Sequence, residues 1–90
     1  MPTVHVPSSL RAFSEGRERL DLEGATLGQV FAALQRECPA LASRIVEDGA
    51  IREDMAVAID GTILEGGELV LAVAPETEIY LVPPIGGGAG

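Results

Sequence analysis

The residues best suited to chemistry are those at the end of the chain, YLVPPIGGGAG at 80–90. After Tyr80, Leu81 and Val82, the pair Pro83-Pro84 fixes an extended backbone. Ile85, Gly86, Gly87, Gly88, Ala89 and Gly90 follow with almost no side-chain bulk. Six extended residues reach about 20 Å, and glycine, lacking a β-carbon, passes through a narrow channel. Such a segment can carry a terminal carboxylate into another protein's active site. A carboxylate is a poor electrophile, but a partner holding ATP converts it to an acyl adenylate. A sulfur or nitrogen nucleophile can then attack that carbonyl. A frayed terminus would have the same composition, because glycine and chain ends order poorly. The rest of the chain decides between the two.

Elsewhere the stock of reactive groups is thin. One histidine, His5, and one cysteine, Cys38, make no recognised zinc site, and no metal is expected. His5 stands between Val4 and Val6 in an alternating run, an outward and structural position. Cys38 ends a helical pattern, where the helix dipole disfavours a thiolate, and reads as a buried, inert thiol. The pairs Glu47/Asp48 and Glu53/Asp54 have no histidine or lysine nearby, and read as solvated acidic surface. EGG (65–67) and GGG (86–88) lack the lysine and the strand-to-helix setting of a phosphate loop. Catalysis within the chain is therefore not expected.

Charge narrows the partners. The net charge is −8, and all six basic residues are arginine. Nucleic acid would be repelled, and Phe13, Phe31 and Tyr80 are too few aromatics for a base-stacking platform. A partner steered by overall charge would be basic around its docking site. A lone cysteine forms no intrachain disulfide. With no signal-peptide pattern and no apolar run of membrane-spanning length, the expected compartment is the cytoplasm.

The elements that must position the tail can be read from periodicity. The composition is 47% hydrophobic, ample for one aliphatic core. TVHVP (3–7) and RERLDLEG (17–24) alternate, turning Val4, Val6, Leu20 and Leu22 inward, and the glycine of SEGR (14–17) suggests a hairpin. Leu27, Val30, Phe31 and Leu34 then fall at i, i+3, i+4 and i+7, one stripe of a helix. Thr26 with Gln29 has capping-box spacing and Pro39 is a stop, giving a helix over 26–37. A further helical turn in 39–49 carries Leu41, Ile45 and Val46. MAVAIDGT (55–62) is a strand that breaks at Asp60-Gly61, ELVLAVAP (68–75) a short strand or extended segment, and TEIYLVPP (77–84) a last strand. The expected class is α+β, one main helix across a mixed sheet of four to five strands. A single domain covers 1–84, with a Gly-rich tail at 85–90.

In this order and at this length, the chain resembles the sulfur-carrier branch of the ubiquitin-like β-grasp proteins. That branch includes the small subunit of molybdopterin synthase and the carriers serving thiamine and cysteine synthesis. PSSLRAFSEG (7–16) resembles the family's first turn, EGATLGQVFAALQRECP (23–39) its helix, and MAVAIDG (55–61) its central strand. IYLVPPIGGG (79–88) resembles the terminal strand, diproline and Gly-Gly. The resemblance implies a β-grasp fold and a C-terminal thiocarboxylate on a carrier that binds no cofactor itself. An adenylyltransferase related to ubiquitin-activating enzymes would spend ATP on the tail, a sulfur donor would supply sulfur, and a biosynthetic enzyme would accept it. Molybdopterin, cysteine, thiamine and specialised-metabolite routes all use such carriers.

Carried over by position, Gly87 and Gly88 match the terminal pair, and Gly88 would bear the activated carbonyl. Arg11, Tyr80, Val82, Pro83 and Pro84 are docking candidates. Ala89-Gly90 departs from the pattern, since family carriers stop at Gly-Gly. Either a metalloprotease trims the dipeptide, or Gly90 is activated, or the extension is an artefact. PETE (75–78) also stands where the family has a tight Gly-Asp turn. Two other readings share the fold: a ubiquitin-like modifier conjugated through the same tail, and a plain interaction module. Without lysine the chain forms no lysine-linked polymers of itself, which counts against a polymeric tag.

Overall fold

The apolar stripe becomes a helix. In the computed structural model, which describes residues 1–47, 49–52, 54–65, 69 and 71–83, α1 spans Leu27–Glu37 and buries Leu27, Val30, Phe31 and Leu34. Thr26 caps it, its Oγ1 accepting from the Gln29 N–H at 3.2 Å. The Gln29 side chain reaches past Thr26 and accepts from the Ala25 N–H at 2.8 Å, so the capping box closes one residue earlier than its spacing implies. The Leu27 and Gly28 N–H groups donate to the carbonyls of Leu71 and Leu69, each at 2.8 Å. A strap of chain thus satisfies donors that the helix leaves open. Pro39 ends α1 and also opens α2, Pro39–Ile45, at a position where a missing N–H costs nothing. Leu41, Ala42 and Ile45 are buried there.

The strands are β1 (Thr3–His5), β2 (Arg19–Asp21), β3 (Val46–Glu47), β4 (Ala50–Ile51), β5 (Ala56–Ile59), β6 (Thr62–Glu65) and β7 (Glu78–Val82). Five form one sheet in the order β2-β1-β7-β5-β6, while β3 and β4 make a separate ribbon. β1 and β7 run parallel and the other neighbours antiparallel, so the sheet is mixed as expected. Val4, Leu20, Val57, Ile79 and Leu81 join the helix stripe in one buried, mostly aliphatic cluster.

Two local features depart from the sequence reading. β1 and β2 do pair antiparallel, but a 3₁₀ turn at Ser8–Phe13 that buries Leu10 lengthens their connection. Beside β5 lies β6, a strand at 62–65 that the sequence reading did not include. Asp60 and Gly61 both take positive φ, 48° and 91°, which makes a tight hairpin turn and sends the chain straight back along β5. Of the two readings of 68–75, the extended segment fits the described residues 69 and 71–75, which supply the strap to α1 and among which the one bridge is Thr26 to Ala72. Val73 adds a bond to the Ala25 carbonyl at 3.0 Å. PETE closes a tight turn without glycine: the Thr77 N–H donates to the Ala74 carbonyl at 3.0 Å, and Thr77 Oγ1 accepts from the Ala74 N–H at 2.8 Å. Among the described residues no helix is long and apolar enough to cross a membrane.

Two glycines are required by space rather than by φ. A β-carbon on Gly28 would lie 3.0 Å from the Leu69 carbonyl oxygen, so this glycine admits the strap. On Gly24 it would lie 2.6 Å from the Val30 backbone nitrogen and 2.8 Å from Val30 Cγ2. Backbone inside a helix yields poorly. Gly24→Ala is expected to cost about 1–3 kcal/mol in denaturant melts, the range for overpacking. An unchanged midpoint would show that the 22–25 turn moves aside freely.

Candidate functional site

The alternation of the last strand decides which of its side chains face outward. Ile79 and Leu81 are buried, whereas Tyr80 is 43% exposed. Val82 is half-buried and pairs with Ala56. Tyr80 lies opposite His5 on one side and Ala58 on the other; beyond them stand Arg19 and Ile63. A single row of outward positions therefore crosses all five strands: Arg19, His5, Tyr80, Ala58, Ile63. Ile63 is 59% exposed. The row passes from a cation through two stacked rings to an aliphatic end, on the face that carries the outward residues.

His5 is the hinge between the polar and apolar parts. Its ring stacks on Tyr80 with centroids 4.2 Å apart and planes 7° apart. Its Nε2 sits 2.5 Å from Glu78 Oε1, which holds the imidazole in register with the tyrosine. Beside the pair is a hollow of about 310 Å³ lined by His5, Pro7, Arg11, Glu18, Arg19 and Tyr80 among others. Arg11 Nε donates to the Val6 carbonyl at 3.1 Å, which fixes the guanidinium at this hollow.

The structure thus brings together two expected docking residues, Arg11 and Tyr80, with Val82 and the half-buried Pro83 following along the strand. Pro84, Ile85, Gly86, Gly87, Gly88, Ala89 and Gly90 lie outside the described residues. His5, Arg19 and Ile63 were not singled out as site residues by the sequence. Outward parity marks each of them, but only the register between strands distant in sequence puts them in one row.

The remaining candidates separate from this face. Cys38 is buried, 5% exposed, with Arg17 Nη1 at 3.9 Å from its sulfur. Glu47 and Asp54 are exposed, while Asp48 and Glu53 lie outside the described residues. Asp54 hydrogen-bonds the Arg52 guanidinium and, by that bond and its charge, raises its pKa further. Among the described residues no cluster of His, Cys, Asp and Glu is placed to hold a metal ion. A larger hollow of about 640 Å³, lined by Pro2, Gln29, Arg36, Val73 and Pro75 among others, shares no residue with the outward row.

Comparison with known proteins agrees with this architecture. The ThiS family model matches residues 4–88. The chain is similar to a solved structure described as the Amycolatopsis orientalis BexX/CysO complex, with a TM-score of 0.85 at 20% identity over 94% of this chain and 97% of that one. Mycobacterium tuberculosis CysO, described as an antigen, gives 0.79 at 21% identity over 94% and 100% of the two chains. SAMP1 from Haloferax volcanii gives 0.72 at 32% identity over 97% and 98%. The first two likenesses show the fold, and the third adds likeness in sequence. No curated protein matches the chain in sequence. The mixed five-stranded sheet under one main helix is a ubiquitin-like β-grasp.

Proposed function

The chain belongs to the ThiS family, and from that premise we propose that it is a cytoplasmic sulfur carrier and co-substrate rather than a catalyst. The carboxylate of Gly88, exposed once Ala89-Gly90 is removed by a metalloprotease, attacks the α-phosphorus of ATP held by a partner adenylyltransferase and expels pyrophosphate. Sulfur from a donor displaces AMP and leaves a thiocarboxylate. A biosynthetic enzyme then takes the sulfur. The chain's own part is mechanical: it docks through the outward row and lets Pro83-Pro84 aim the glycine tail.

The observation that carries this reading is the extent of the family match, which runs from Val4 through Gly88 and takes in the diproline and Gly87-Gly88. A second reading has support of its own. The crystal structure sharing 32% identity is of SAMP1, and a solution structure of the small archaeal modifier protein 1 from Methanosarcina acetivorans is similar at 28% identity. That favours a modifier conjugated through the same tail. Intact mass of the protein from its native cells separates them. A species ending at Gly88 with sulfur in place of one carboxylate oxygen supports the carrier. Covalent adducts through the tail support the modifier. Only unmodified chain, under conditions of active sulfur metabolism, would leave the plain interaction module.

A further inference from the structure

The outward row has a charge that runs against the chain as a whole. There are 14 acidic residues and 6 arginines in the sequence, for a net −8. The hollow at the β2 end of the row is nevertheless lined by two guanidinium groups, Arg11 and Arg19, against one carboxylate, Glu18. The neighbouring carboxylate, Glu78, is engaged by His5. Among the described residues the other ion pairs are Arg17 with Glu37 and Arg52 with Asp54, so neither Arg11 nor Arg19 has an acidic partner. Arg11 is half-buried and held by the Val6 carbonyl, which leaves its terminal N–H groups for an outside acceptor. A guanidinium fixed in advance loses little freedom on binding, and its planar fork matches a carboxylate. At the other end, Ile63 and Ala58 offer no polar side-chain atom.

We propose that the docking partner places a side-chain carboxylate in the Arg11–Arg19 hollow and an apolar side chain against Ile63, so that the polarity of the row fixes the orientation of docking. This rests on the reading that the outward row is the docking face of the carrier. It refines the expectation from net charge. The partner's periphery can be basic and steer encounter, while the group that meets the hollow is acidic. Complementary charge of this kind sets register and rejects wrong partners more than it adds affinity.

The two charge arguments give opposite signs for one substitution. Arg19→Glu makes the whole chain more acidic, so a uniformly basic partner surface would bind it more tightly. A carboxylate in the hollow would be repelled. Arg19 is exposed at the end of an edge strand, so a thermal melt should confirm an unchanged fold. The experiment is calorimetric titration of the chain with the adenylyltransferase from the same cells, using wild type, Arg19→Glu, Arg19→Lys and Tyr80→Asp. The expected result is a loss of about tenfold or more for Arg19→Glu, with most affinity kept by Arg19→Lys. Equal or tighter binding by Arg19→Glu, with Tyr80→Asp weakened, overturns the acidic contact and leaves the docking face standing. No effect of Tyr80→Asp, or no binding by wild type, removes the docking face and this inference with it.

Discussion

A chain truncated after Gly88 is expected to become adenylated and then thiocarboxylated when given ATP, a sulfur donor and its activating enzyme, whereas the full-length chain is not. The reason is reach. Pro83-Pro84, two residues, then Gly87-Gly88 reproduces the terminal spacing of the carriers it resembles, and the family match stops at the same glycine. Two further residues carry the carboxylate about 7 Å past that point. A misplacement of about 1 Å can cost a hundredfold in rate, so this overshoot should silence a site shaped for Gly88. Adding a protease that removes Ala89-Gly90 should rescue the full-length chain. Mass spectrometry that found the thiocarboxylate on Gly90 would end the trimming idea and spare the carrier. Failure of both forms with the cognate enzyme would end both.

How much of this was legible in the sequence depended on distance along the chain. Local periodicity gave α1 from four residues and its cap from two, and alternation gave the inward faces of β1, β2 and β7 correctly. Asp60-Gly61 was visible as a turn, yet the strand after it was not. TILE is only four residues long, and its Ile63 points outward to 59% exposure, so the stretch carries too little alternation to read as a strand. The two-residue strands of the β3–β4 ribbon are too short for any pattern. The strap residues Leu69, Leu71 and Val73 are placed by backbone bonds to the start of α1 and the turn before it, and backbone bonds leave no trace in side-chain type.

The outward row shows the same division. Tyr80 could be assigned outward from β7 alone. Its stacking on His5 could not, because it requires β1 and β7 to lie parallel although their partners are separated by 75 positions in the register His5 to Tyr80. The tail is a different case: its composition alone also fits a frayed end, the proposed chemistry rests on its likeness to the carrier family, and residues 84–90 lie outside the described residues. Scaffold and outward row were thus readable to different degrees because they rest on contacts of different range.

Leu34→Ala is the substitution expected to hurt the scaffold most. Leu34 is 0% exposed in the third turn of α1 and shares its buried cluster with Val57 and Ile79 of the sheet. Removing the isobutyl group loses its transfer free energy and leaves a void that neighbours fill only partly, for a cost of about 2–5 kcal/mol. Relief by collapse is limited here, because Val30, Phe31, Leu41 and Ile45 are themselves buried and fixed on two helices joined at Cys38. Domains of this size hold only about 5–15 kcal/mol in total, and no disulfide closes this one. The variant should therefore melt at markedly lower denaturant with an unchanged slope, while the exposed neighbour change Gln35→Ala stays within about 0.5 kcal/mol of wild type. Below its new midpoint the folded fraction should still dock, since no atom of Leu34 reaches the outward row. A loss for Leu34→Ala as small as that for Gln35→Ala would mean the stripe is not the core, and that β7 is held in place by something other than α1.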